Sequence, residues 1–518
     1  MVREAGNIPW TSVLGQPYEQ RVISFSFRQA ILSTVLSIAF ALPVALALAH
    51  KPHFPGRTII VNLFSLSLVI PTIVAIYGVV AVFGRTGWLN QIIEALSLPT
   101  VSIYGLPGIL VAHVFFNLPL AARAFLISFE GIPRENWRLA RQLGMTPWAI
   151  LRYIEWPAVR GQIPALSLLI FTLCFTSFAI VMTLGGGPRA TTIEVAIYQA
   201  LRFDFDIQLA VGLASVQLVI CILLMLLSTL AKQNLAVEFD GYKSSNSLEL
   251  LRENSQQMNA LWPGKFWLCI HSLIIVISCS YVLAPLVALV ISSINPAFFA
   301  VLTHPTTLDA LGNTIIVSLV SALLSLSLAI GLLLSSRHLR IRLSYERSAH
   351  WLQLSGNIIL VLPPLVLGTG MFLLLRPYAD VFSLALVLVV IINSLMALPF
   401  VLRILDGPVM QSAAKYDKLL QSLHIQGFNR MRLIDWPQLK KPIAFSFAIA
   451  TTLSAGDLSA IALFGSERVR TLPLLLYQRI GSYRLDEAAV TAGMLLMVCL
   501  FLFAAIQYCI GGRRYAKT

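Results

Sequence analysis

The sequence predicts an all-α integral membrane fold built from two parallel repeats, and three observations carry that prediction. The first is composition: of 518 residues, 57% are hydrophobic and only 12% charged, where a soluble chain carries about 25% charged residues. The mean hydropathy is +0.81. The second is a succession of apolar runs near the length of about 20 residues that a bilayer core requires of a helix. The third is a repeat. Between His113–Pro157 and Asn393–Pro437, Leu118-Pro119 recurs as Leu398-Pro399, Arg123 as Arg403 and Trp156-Pro157 as Trp436-Pro437, at a constant offset (437 − 157 = 280).

Taken in order, the runs place spans near 27–49, 58–83, 104–127, 163–184 and 208–231, then near 268–293, 311–335, 354–375, 381–402, 443–464 and 488–510. That makes about eleven. Helices are required because lipid-exposed backbone must satisfy its hydrogen bonds internally. The net charge of +14 sits in short loops between the runs, a pattern that sets membrane orientation rather than one that binds nucleic acid. The 50–57 loop, the loop with Arg337, Arg340, Arg342 and Arg347, both repeated loops and Arg513-Arg514 all fall on one side. That side is the cytoplasm. The outer loop 465–485 runs against the trend, since Arg468, Arg470, Arg479 and Arg484 outnumber Glu467.

Six spans separate each element from its copy, so the halves lie parallel and both repeated loops reach the cytoplasm. The expected organisation is a first transmembrane repeat at 1–231, a polar cytoplasmic linker at 232–267 and a second repeat at 268–518. The helix at 268–293 has no counterpart in the first repeat, so the N-terminus is expected on the outer side, or a further helix upstream. The six cysteines lie in or at the ends of apolar runs without a C-x-x-C pair, and point to no metal or disulfide framework.

The first repeated loop holds Ala140-Arg141-Gln142-Leu143-Gly144, with Pro157 thirteen residues beyond the glycine. This resembles the EAA signature of ABC importer permeases. A helix over 134–143 would end at Gly144 in a left-handed turn, and a second helix would return to the membrane at Trp156-Pro157. Small Ala140 would let a partner approach closely. Arg138 stands where the family carries glutamate, with Leu143 and Met145 flanking the turn. In the second copy Leu420, Leu423 and His424 occupy the matching positions. Histidine tolerates the left-handed region better than most side chains, while Gly427 offers an alternative turn, so the second loop is expected to be less regular.

Three further runs, Tyr104–Pro119, Leu184–Leu201 and Thr471–Ala492, resemble the permeases of bacterial thiamine importers. The resemblance implies a type I, MetI-like ABC importer permease in the bacterial inner membrane. It implies a periplasmic thiamine-binding protein and a separate, homodimeric ATPase, one copy per loop, moving thiamine and its phosphate esters. Fused permeases like those for ferric iron share this two-loop architecture and are the competing reading. The chain has no G-x-x-x-x-G-K-[ST] phosphate loop, so ATP and Mg would belong to the partner, leaving this chain without cofactor or catalysis of its own. A membrane enzyme is disfavoured, because neither H-E-x-x-H nor G-x-S-x-G occurs.

Candidates for the substrate path come from polar and aromatic side chains inside spans. His113 and Asn393 are equivalent under the 280-residue offset, and each lies beside a mid-span proline; with Asn117 they would either face a central path or simply bond helix to helix. Asp457, in the run TTLSAGDLSAIALFG, would attract a cationic thiazolium or cap broken backbone at Gly456. It is also the residue a proton-coupled secondary transporter would use. Phe175, with Phe171 and Phe178, would stack on a heteroaromatic ring or pack as core. The run Gly185-Gly186-Gly187-Pro188 is a gate bend or a plain turn.

Overall fold

The computed structural model describes residues 15–51, 54–66, 70–230, 265–341, 345–425, 427–466 and 469–511. The linker up to residue 264, and the N-terminal residues on which the outer-terminus expectation falls, lie outside the described residues; the last three residues of the expected linker begin α13. The first repeat contains α1 (Pro17–His50), α2 (Arg57–Leu66), α3 (Thr72–Phe83), α4 (Trp88–Ala95), α5 (Leu106–Glu130), α6 (Arg134–Gln142), α7 (Pro147–Ile150) and α8 (Trp156–Arg160). It continues through α9 (Ile163–Phe175), α10 (Phe178–Leu184), α11 (Ile193–Arg202) and α12 (Ile207–Leu230). The second contains α13 (Lys265–Ser293), α14 (Phe298–Thr303), α15 (Pro305–Ile341), α16 (Glu346–Asn357), α17 (Pro364–Leu375) and α18 (Ala385–Ser422). It ends with α19 (Gly427–Arg430), α20 (Trp436–Ala455), α21 (Ser459–Phe464), α22 (Leu472–Gly481) and α23 (Leu485–Gly511).

Among the described residues, nine helices are long and apolar enough to cross a membrane, or ten if the pair bent by 54° at Gly161-Gln162 is one span. Eleven were expected, and the difference has a physical cause. The run at 354–375 is divided: α16 gives way to a 3-10 turn at Ile358–Val361, and α17 restarts at Pro363-Pro364. Proline lacks the N–H that a continuing helix requires and pushes its predecessor out of the helical region. The run at 58–83 is likewise two helices, the second restarting after Pro71. Those at 163–184 and 443–464 break at Thr176-Ser177 and at Gly456–Leu458.

In lipid no hydrophobic force drives helix to helix, so association depends on close approach of small residues. The first long helix of each repeat provides them. Ala30, Ser33, Ser37, Ala41 and Ala45 of α1 are fully buried, as are Ala310, Ser318, Ser321, Ala322, Ser325 and Ala329 of α15. The spacing of three and four puts them on one face, along which α5 and α18 respectively pack. The same helices also cap a short outer helix: Ile193 N–H donates to Ser26 Oγ at 3.0 Å and Leu472 N–H to Thr314 Oγ1 at 2.8 Å.

The repeats are interlaced. α12 packs on α17, and α23 packs on α3, so the last helix of each half covers a broken helix of the other. α13 lies along α1 and α3 as well as α23, with Tyr281 Oη donating to the Val111 carbonyl at 2.6 Å. Gly456, at the break between α20 and α21, sits so close to Pro71 that an added Cβ would lie 2.6 Å from the proline Cβ. The outward faces of α12 and α13 present Val219, Leu223, Leu227, Leu273 and Ile277, as lipid contact requires.

Candidate functional site: the cytoplasmic docking surface and the transmembrane path

Both repeated loops form the same knuckle. The helix at 134–142 ends with Leu143 N–H donating to Leu139 O (2.9 Å) and Met145 N–H to Ala140 O (3.0 Å) around Gly144 at φ +59°. In the second copy Leu423 N–H donates to Leu419 O and Ile425 N–H to Leu420 O, both at 3.0 Å, around His424 at φ +54°. These reach-back bonds satisfy carbonyls that a helix end leaves open. The second turn is therefore as well formed as the first, correcting the expectation of a less regular copy. Its leading helix is the more continuous one, because α18 runs unbroken from Ala385 to Ser422 while Gly131 and Pro133 separate α5 from α6.

Each knuckle then passes through a π-helical turn, Leu151–Glu155 and Met431–Asp435, again 280 residues apart (431 − 151 = 280). Such turns are rare and are frequent at functional sites. Equivalent apolar side chains project from both surfaces: Leu139 with Leu419, Leu143 (67% exposed) with Leu423 (57%), and Trp156 with Trp436. Trp148 adds a 71% exposed indole in the first copy. Arg138, Gly144 and His424 also lie open, and Met145 packs partly inward. Ala140 and Leu420 are buried; the close approach expected at Ala140 is made by its own chain, which seats the helix and turns the neighbouring leucines outward. Gly427, at φ +60°, starts α19.

Behind each π turn stands a buried acid that the sequence reading passed over. Glu155 accepts from His50 Nε2 at 2.5 Å, and His50 Nδ1 lies 3.3 Å from His271 Nε2. Asp435 pairs with Arg337 at 3.2 Å and Arg430 at 3.3 Å, and Arg430 also pairs with Asp417. In each repeat a base near the C-terminal end of the first long helix thus fastens the knuckle to the bundle. The available signal was the pair Glu155-Trp156-Pro157 and Asp435-Trp436-Pro437, an acid immediately before both repeated Trp-Pro pairs.

The path residues are less alike. His113 is buried with Nδ1 2.8 Å from Ser33 Oγ. Asn117 donates to the His113 carbonyl at 2.9 Å and to Cys174 Sγ at 3.3 Å. Asn393 donates to Ser454 Oγ at 3.1 Å. Each is tied helix to helix within its own repeat. Phe175 is buried against Phe27 and Phe171, with ring centroids 5.2 and 5.7 Å away, an aromatic packing cluster. The triple glycine forms a turn against Tyr104, closed by Gly105 N–H donating to Leu184 O at 2.8 Å.

Asp457 remains partly exposed at the break between α20 and α21, where its Oδ2 accepts from Ala460 N–H at 3.0 Å. Across the seam between the repeats lies Glu194, at the start of α11, fully buried and bonded to Gln217 Nε2 at 3.1 Å. α11, which carries Glu194 at its start, packs on α21, which begins two residues after Asp457. No pattern around Glu194 announced it; only the fold brings those two helices together. Among the described residues no group of three His, Cys, Asp or Glu is placed to hold a metal ion.

Residues 27–237 match the family described as binding-protein-dependent transport system inner membrane component. The thiamine transport system permease protein ThiP of Salmonella typhimurium is 42% identical, over 98% of this chain and 92% of the relative. That of Escherichia coli is 42% identical over 96% and 90%, and that of Haemophilus influenzae 41% over 97% and 91%. The chain belongs to the ThiP permease family. It is a multi-pass inner-membrane permease of that family.

Proposed function

We propose that this chain moves thiamine and its phosphate esters inward as the permease of an ATP-driven importer, with hydrolysis performed elsewhere. The ATP and Mg would sit on a homodimeric ATPase whose two grooves receive the two knuckles, leaving this chain without cofactor. The observation that carries the coupling role is the pair of surfaces with matching exposed Leu, Leu and Trp side chains, each pinned by a buried acid. Apolar side chains clustered on a polar, basic surface mark a protein contact rather than solvent. Repeats at 1–231 and 268–518, joined by a linker at 232–267, would present those surfaces side by side. The ThiP relatives favour thiamine over ferric iron. A proton-coupled transporter would leave both knuckles without a use.

Asp457 is the residue we assign to the substrate. A carboxylate facing a low-dielectric passage favours a cation such as the thiazolium ring. Two variants test the two halves of this reading in a thiamine auxotroph and in energised vesicles. Gly144→Asp places a side chain and a charge in the left-handed turn; the ATPase is expected to be lost on pull-down while membrane insertion persists. Asp457→Asn is expected to cut thiamine uptake about tenfold or more with the complex intact. Uptake that survives ATP depletion and collapses with an uncoupler would refute the importer role.

A further inference from the structure

We infer that the cavity behind the second knuckle binds one phospholipid whose head carries both a phosphate and an ammonium group. The lipid belongs to the leaflet on the knuckle side. This site is separate from the cargo and does not rest on the importer reading.

The observation that carries it is a change of polarity along the cavity. About 480 Å³ is enclosed between α15, α18 and α20, within the range of about 300–1,000 Å³ that small-molecule sites occupy. Ile330, Leu333, Leu405 and Ile443 wall one end, while Arg337, Asp417, Arg430 and Asp435 wall the other. On α15, Ile330 and Arg337 share a face and lie two turns apart, about 10 Å along the axis. The apolar end falls inside helices long and apolar enough to cross a membrane, and the charged end where those helices meet the knuckle. A slot that is apolar at membrane depth and charged at its boundary has the polarity of a lipid standing in its own leaflet. Trp436 lines the same cavity and is half-exposed, an amphipathic ring of the kind that gathers at headgroup level.

The charges select the head. Arg337 Nη1 donates to both Asp435 oxygens, at 3.2 and 3.3 Å, and Arg430 Nε donates to Asp435 at 3.3 Å. Arg430 also pairs with Asp417. Two guanidinium groups thus face two carboxylates, with His338 exposed at the rim. A purely anionic head would gain at the arginines and lose at the aspartates. A head with both charges meets both: its phosphate accepts from the guanidinium groups, and its ammonium donates to Asp417. The bonds to Asp435 are longer than the 2.7–2.9 Å usual for a charge-assisted pair, so the network has room to share its donors. In the first repeat the equivalent place is filled: Phe125, Phe129 and Trp137, all buried, stand where Leu405, Val409 and Asp417 line the cavity. One lipid per chain is the expected count.

The test uses the full permease with its ATPase, stripped of lipid in detergent. It is titrated with phosphatidylethanolamine, phosphatidylglycerol or phosphatidylcholine while bound copies are counted by native mass spectrometry. One retained phosphatidylethanolamine per permease is expected, with an apparent Kd about tenfold below the other two. Phosphatidylglycerol lacks the ammonium, and phosphatidylcholine has no N–H to donate. Val409→Phe, which fills the slot as Phe129 does, should lose that copy while still holding the ATPase. Asp417→Asn removes the acceptor of the ammonium and releases Arg430, so it should turn the preference to phosphatidylglycerol. No retained copy in the unmodified complex, equal retention of all three lipids, or an unchanged copy in Val409→Phe overturns the inference. Displacement of the bound copy by soluble glycerophosphoethanolamine at matched concentration would also overturn it, and would reassign the cavity to a free zwitterion.

Discussion

The two knuckles share a backbone, an exposed surface and a buried acid, yet the layers beneath them differ. Under the first, Phe125, Phe129, Trp137 and Ile150 are all buried. At the equivalent positions the second has Leu405, Val409, Asp417 and Arg430. These line a cavity of about 480 Å³ together with Arg337, His338 and Asp435. The first adds to its His50–Glu155 pair a layer of aromatic packing, which depends on area and tolerates small shifts. The second is held by a network of arginine and aspartate that depends on charge and geometry. One surface specification can thus be met by two kinds of core, provided the turn and the π segment are kept.

That contrast can be broken at its strongest point. Asp435→Asn leaves Arg337 and Arg430 facing a neutral group, and losing one partner of a buried ion pair costs about 3–5 kcal/mol. Thermal unfolding in detergent should fall accordingly; an unchanged midpoint would mean the network does not hold the knuckle. Trp137→Ala in the first copy should cost about the same, 3–5 kcal/mol, through lost packing, with the difference that salt leaves its midpoint unmoved.

The comparison sharpens if one core is transplanted. Trp137→Asp and Ile150→Arg each bury an unpaired charge and should separately destabilise the protein. Together they recreate the Asp417–Arg430 pair, and a coupling energy of about 1–3 kcal/mol is expected. Filling the second cavity is a gentler change: Val409→Phe copies Phe129 and should add about 0.5–2 kcal/mol, read as a higher melting point with unaltered ATPase binding. The smallest effect belongs to His424→Gly. It relieves the left-handed strain at that turn but adds freedom to the unfolded chain, for a net gain of about 0.5 kcal/mol.

What could be read in advance follows the same division. The 280-residue offset located both turns and the exposed faces beside them, because a turn is a local event whose residues are adjacent in sequence. The breaks at Pro71 and Pro363-Pro364 were equally local and were overridden by the hydropathy of the runs around them. Glu194 and Asp457 are 263 residues apart (457 − 194 = 263), and no periodicity relates them; only packing of α11 against α21 does. His113 and Asn393 are equivalent by offset, yet equivalence under a repeat says nothing about which partner each meets. Ser33 and Ser454 supplied those partners from their own repeats.

The crossing of α12 onto α17 and of α23 onto α3 has a mechanical result. Neither half packs alone, so a displacement of one repeat must travel through a strut rooted in its neighbour. Gearing of this kind makes two movements one event.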